Sequence, residues 1–99
     1  MVRGTTPTLT FTLPFNTSII KSVYVTFSQK DQEVFTVETN NCTLSDNQLI
    51  IELTQSQTLA FTQNAVVEIQ LRVLTNEDDA LASNIIRTSV EKILRDGEI

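Results

Sequence analysis

The chain has 99 residues, 40% apolar and 19% charged, with a mean hydropathy of zero, and makes a single globular domain, residues 1–99, with one modest core. Seven bases against twelve acids leave a net charge of −5, which argues against a nucleic-acid partner, since such proteins carry a basic face. No run reaches the ~18 apolar residues of a membrane span, so no membrane partner is expected. The opening Met-Val-Arg-Gly-Thr-Thr-Pro also lacks the apolar stretch of a secretory signal, so synthesis in a cytoplasm is expected.

Fifteen threonines and only two glycines and two prolines favour pleated strands over linkers. Taken in order, Thr8–Leu13 alternates, with Leu9, Phe11 and Leu13 on one face and threonines on the other; Pro14 ends this first strand. Phe15 to Ser18 is a connection. Ile19–Ser28 is a second strand with Val23, Val25 and Phe27 inward. Gln29-Lys30-Asp31-Gln32 is a polar hairpin turn, and Glu33–Glu38 returns with Phe35 and Val37 inward. After the break at Thr39-Asn40-Asn41, Cys42 to Leu44 reads as a short strand. Ser45-Asp46-Asn47 then turns into Gln48–Leu53, where Leu49, Ile51 and Leu53 share a face.

Thr54 and Gln57 have the spacing of a capping box, so residues 55–60 read as one helical turn that tucks Leu59 and Phe61 under the sheet edge. The strongest signal is Val66–Thr75. Val67, Ile69, Leu71 and Val73 alternate with Glu68, Gln70 and Arg72, the pattern of a central strand with one buried face. Asn76 to Asp79 is an acidic loop. The last segment carries two periodicities at once. Ile86, Thr88 and Val90 fit a strand over Asn84–Lys92, while Ile86, Val90, Ile93 and Leu94 would also make a helical stripe; the strand, which fits beside Val66–Thr75, is the reading adopted. About seven short, hairpin-linked strands predict an all-β fold, an antiparallel two-sheet sandwich of immunoglobulin-like type, with a small barrel as the alternative.

Residues fit for catalysis are scarce. There is no histidine for general acid–base work, no partner base for Cys42, and no glycine-rich phosphate loop. A lone cysteine is most simply a small buried hydrophobe. Glu77-Asp78-Asp79 lacks the spacing of a calcium loop and reads as a solvated connection. No catalytic residue, metal site or cofactor is therefore expected, and an enzyme ranks last among the readings.

The charge is uneven along the chain: residues 1–30 hold Arg3, Lys21 and Lys30 with no acid (+3), and residues 31–99 hold four bases and twelve acids (−8). Folding is expected to interleave the two regions. More informative are apolar residues on the faces opposite each strand's core set, namely Tyr24, Ile50, Val66, Leu74 and Ile85. With Phe15 beside Pro14, they are the candidate interface residues. An unpaired edge strand could also take a neighbouring chain.

Three stretches carry a family likeness: Arg3-Gly-Thr-Thr-Pro-Thr-Leu-Thr-Phe-Thr-Leu-Pro-Phe15, Leu53-Thr-Gln-Ser-Gln-Thr-Leu-Ala-Phe61, and Val67 to Thr75 followed by Ala80-Leu-Ala-Ser83. With these the chain resembles small phage and prophage structural proteins of Gram-positive bacteria, and is similar in pattern to the Ig-like N-terminal modules of baseplate proteins. The resemblance implies a structural subunit of a tail or baseplate, located in the virion after assembly and partnered by itself or by another virion protein. It supplies no functional residues position by position. The rival reading from another class is a ligand-binding module, for instance for carbohydrate. That would need exposed aromatics for stacking, and the chain has no Trp, one Tyr and five Phe, most of them on core-facing positions.

Overall fold

The computed structural model describes residues 1–99. Eight strands run in chain order: β1 (Thr8–Thr12), β2 (Ile20–Gln29), β3 (Gln32–Glu38), β4 (Thr43–Ser45), β5 (Gln48–Glu52), β6 (Val66–Thr75), β7 (Ala80–Ala82) and β8 (Ile86–Ser89). One helical turn, α1 (Gln55–Leu59), joins β5 to β6, and short 3-10 turns cover Thr17–Ile19 and Thr39–Asn41. The strands form two antiparallel sheets. The smaller has the order β1-β5-β4; the larger has the order β3-β2-β6, with β7 and β8 sharing the far edge of β6.

This is an immunoglobulin-like sandwich by topology. The smaller sheet corresponds to the B-E-D strands of that fold, and the larger to C′-C-F-G. The place of the first strand, beside β1, is empty. Residues 1–3 instead run along the continuation of β8, where Val2 makes a parallel bridge with Glu91.

Alternation places the core. Val23, Val25 and Phe27 of β2, Val37 of β3, Leu49 and Ile51 of β5, and Val67, Ile69, Leu71 and Val73 of β6 are all buried between the sheets. Phe27 and Phe35 stack at one end with ring centroids 4.7 Å apart, and Phe61 tilts against both at 6.0 and 5.3 Å. Phe61 arrives there because α1 is held by its capping box: the Thr54 hydroxyl accepts from the Gln57 N–H at 3.1 Å, and the Gln57 side chain accepts from the Thr54 N–H at 2.9 Å. The β2–β3 hairpin closes through Lys30 and Asp31, both at positive φ, the two-residue geometry that matches strand twist.

About seven strands were expected and eight are present, the additional one being Ala80–Ala82, which pairs with Arg72–Leu74. All three residues of this segment are exposed, so it has no alternating pattern to read. Two other expectations are corrected. The terminal strand covers Ile86–Ser89 and not Asn84–Lys92. It is cut short because β7 and β8 share one edge of β6 and the chain kinks between them. Ser83 bridges the gap, its hydroxyl accepting the Leu71 N–H at 3.0 Å and its own N–H donating to the Leu71 carbonyl at 2.9 Å. Cys42 is half-buried against the core and not fully enclosed, and it ends the Thr39–Asn41 turn just before β4 begins at Thr43.

The charge asymmetry of the sequence is largely erased by folding. Arg3 pairs with Asp96 at 3.3 Å, and Lys21 pairs with Asp78 at 3.2 Å, so two of the three early bases meet late acids.

Candidate functional site

The six candidate interface residues do not form one patch. Tyr24, Leu74, Val66 and Ile85 lie on the outward side of the larger sheet. Tyr24 sits across from Glu38 and Arg72, and Leu74 across from Ser22 and Ala80, so these two share a shallow depression. Val66 pairs with Ser89 at the other end of β6, and Ile85, in the kink between β7 and β8, leans over Glu68 and Gln70. Tyr24, Val66 and Ile85 are exposed, while Leu74 is half-buried. Ile50 is half-buried on the outward face of the smaller sheet, the opposite side of the molecule, between Thr10 and Thr43. Phe15 is half-buried and packs on the core beside Leu13 and Leu81.

A second surface was not legible in the sequence. The smaller sheet is one strand narrower than the larger, so β7–β8 projects past β1. Leu81, paired with Val73, and Ile86, paired with Ile69, both point to the inner side of the sandwich, yet each stays 41% exposed because no strand lies beneath them. Leu9 and Phe11 of β1 face the same opening and are half-buried. The result is an apolar seam along one side of the sandwich. Alternation marked Leu9, Phe11 and Ile86 as inward; only the strand order shows that inward here does not mean enclosed.

The edge of β1 beside this seam is unpaired. Leu53 N–H donates to the Pro7 carbonyl at 3.0 Å and Leu13 N–H to the Asn47 carbonyl at 2.7 Å, which fixes the parity of the ladder. Odd-numbered residues therefore turn their backbone groups to β5, and Thr8, Thr10 and Thr12 turn theirs to the open side. No charged residue lies between Gly4 and Ile20 to guard that edge. The other edges are differently placed: β3 carries Glu33 and Glu38, β4 is three residues long, and β7–β8 is kinked and carries Arg87.

Arg3, noted in the sequence only as a charge and as part of a resemblance, is a structural clamp. Its side chain donates Nε to the Phe61 carbonyl at 2.8 Å and Nη2 to the Leu59 carbonyl at 3.0 Å, closing the end of α1, while Nη1 reaches Asp96. The last residue is held by a reciprocal pair with the Gln55 side chain, at 3.2 and 2.8 Å. Gln29, buried at the end of β2, makes a similar reciprocal pair with Thr62, at 2.9 and 2.8 Å.

Among titratable groups, burial pushes the Cys42 thiol up from its ordinary value, and its sulfur lies 3.4 Å from the Glu38 carbonyl. No group of three or more His, Cys, Asp or Glu side chains converges anywhere in the structure. In the acidic loop, Asp78 takes a positive φ and turns to Lys21. The loop borders the largest surface cleft, about 550 Å³, which is also lined by Ile19 and Leu81. Of the six aromatic side chains only Tyr24 is exposed, so a sugar-stacking surface would rest on that ring alone. No helix is long and apolar enough to cross a membrane.

Comparison with protein-family models, with curated proteins and with solved structures returned no match.

Proposed function

We propose that the protein is a non-enzymatic structural or interaction subunit of a phage tail or baseplate, acting through protein–protein interfaces and located in the virion after assembly. The tail or baseplate setting rests on the resemblance of the Arg3–Phe15, Leu53–Phe61 and Val67–Ser83 stretches. The interface reading is carried by one observation: Tyr24, Val66 and Ile85 stand exposed on the outward face of the larger sheet. Apolar side chains standing along a sheet face that nothing else in the chain covers lose contact with water when a partner docks. Glu68, Gln70 and Arg72 lie between them on the same face and would give the contact its polar specificity.

The test is the solution mass by light scattering across a concentration series, for the wild type and for Tyr24→Ser with Val66→Ser and Ile85→Ser. The expected result is a defined oligomer that the triple variant loses while its circular dichroism and unfolding stay cooperative. A mass that stays monomeric at every concentration would remove self-assembly through this face. An oligomer indifferent to the three substitutions would place the contact elsewhere.

A further inference from the structure

We propose that the outward face of the larger sheet docks against a second copy of this chain, turned about a two-fold axis that lies in the face and runs along the strands, so that Arg72 of each copy meets Glu38 of the other. This rests on the reading of the protein as an interaction subunit, and it names the partner and the way the two sit. The strand register fixes what stands in each row of the face. One row reads Glu38, Tyr24, Arg72, Ala82 from β3 across to β7. The row through Ser28, further along β2, reads Glu33, Ser28, Glu68, Arg87. Acid therefore marks the β3 edge in both rows, and the arginines stand on the β6 and β8 side. Glu38, Tyr24 and Arg72 are all exposed, and neither charge has an ion-pair partner in its own chain. Held on β3 and β6 with β2 between them, the two stand about 10 Å apart, too far to pair with each other.

A contact between identical copies about a two-fold axis is self-complementary: where one residue meets another, the second meets the first in return. An axis along the strands keeps each row and exchanges its two ends. With the axis over β2, Tyr24 meets its counterpart and each Glu38 lies over an Arg72. Each Glu33 lies over a Glu68 that its own Arg87 already pairs at 3.1 Å. An axis across the strands would instead lay β3 on β3 and stack its acids, Glu33 and Glu38, on one another. Like charges so placed repel, so the charge pattern selects the first arrangement. The two charges left without a partner in one chain are the two that find one in the pair. Four strands about 4.8 Å apart and about eight residues long, at about 3.4 Å each, make a face of roughly 500 Å². Two copies would then bury roughly 1,000 Å², the lower bound for a specific interface, so association in the micromolar range is expected.

The test is sedimentation of the full chain over a concentration series, for the wild type, Arg72→Glu, Glu38→Arg and the variant carrying both changes. The wild-type mass is expected to rise to twice 11.1 kDa and stop there, because a two-fold contact uses up the face. Each single reversal sets like charges opposite each other twice and should weaken the pair about tenfold or more, while the double reversal restores it to within about threefold of wild type. An equimolar mixture of the two single variants should pair as the wild type does, since each then supplies the charge the other lacks. Both positions are exposed, and cooperative unfolding in urea checks that the fold is kept. A wild type that stays monomeric at millimolar concentration overturns the second copy as partner, and leaves the interaction-subunit reading to a different protein. A mass that climbs past two copies overturns the closed two-fold contact. So does a pair that neither single reversal weakens, or one that the double reversal and the mixture fail to restore. A dimer lost on replacing Tyr24, Val66 and Ile85 by serine but indifferent to charge reversal would leave the face standing and refute this axis, so the two readings fall separately.

Discussion

Replacing Arg3 by alanine tests how the ends of this chain are held. The Arg3 side chain is 17% exposed and binds two carbonyl oxygens, of Leu59 and Phe61, at the end of α1. Hydrogen bonds from a charged donor contribute about 1.5–3 kcal/mol each, and partial access of water to the freed carbonyls trims that. The third contact reaches Asp96, which is 76% exposed, and a pair so open to solvent adds about 0–1 kcal/mol. The expected loss for Arg3→Ala is therefore about 2–4 kcal/mol, and for Asp96→Ala about 1 kcal/mol or less. For a domain this size 1 kcal/mol moves Tm by roughly 4–8 °C, so the two variants separate clearly in thermal and urea unfolding. Arg3→Lys keeps the charge and loses the forked geometry, and should fall between wild type and alanine. If Asp96→Ala costs as much as Arg3→Ala, the clamp works through the ion pair and the carbonyl argument is wrong. A loss under 1 kcal/mol for Arg3→Ala would mean that water replaces the guanidinium at both oxygens.

Two further outcomes follow from single positions. Gly4 has φ of 75°, and an added Cβ would lie 3.0 Å from Ile93 Cδ1 and 3.4 Å from Leu59 Cδ2, so Gly4→Ala should cost about 1–3 kcal/mol in urea unfolding. A loss of a few tenths would show that residues 1–4 contribute little to the fold. Cys42 should react with a disulfide reagent more slowly than an unstructured thiol at mildly alkaline pH, because burial disfavours its thiolate. With the folded pKa above the unfolded one, the native state retains its proton longer. Its contribution to stability is complete below the unfolded value and declines as pH rises through the folded one. Comparing the pH dependence of unfolding for wild type and Cys42→Ser checks the sign; a contribution that grows with pH would refute it.

Alternation carried much of this fold into the sequence. The inward sets of β2, β5 and β6 were readable because side chains on a strand alternate strictly, and burial of one face leaves a period of two in the residues. Val66–Thr75 has the same bounds as β6. The Thr54–Gln57 capping box was equally legible, since the contacts that start a helix are made within four residues. Weak local signals failed at the far edge. Ala80–Ala82 is exposed throughout, and the kink at Ser83 to Ile85 exists only because two short segments share one side of β6. Arg3 gave no hint of its partners, two carbonyls 56 and 58 positions away and a carboxylate 93 positions away.

The candidate site divides the same way. Which residues face outward, Tyr24, Val66 and Leu74 among them, was determined by the sequence alone through strand periodicity. Whether those residues meet was decided by the tertiary structure, which sets Tyr24 and Leu74 around one depression on the larger sheet and sends Ile50 to the opposite side. The open seam is tertiary in origin as well. Each strand's pattern records only that one face is apolar, whereas enclosure depends on how many strands the facing sheet supplies. Here three strands face a wider sheet, and Leu9, Phe11, Leu81 and Ile86 remain at the opening.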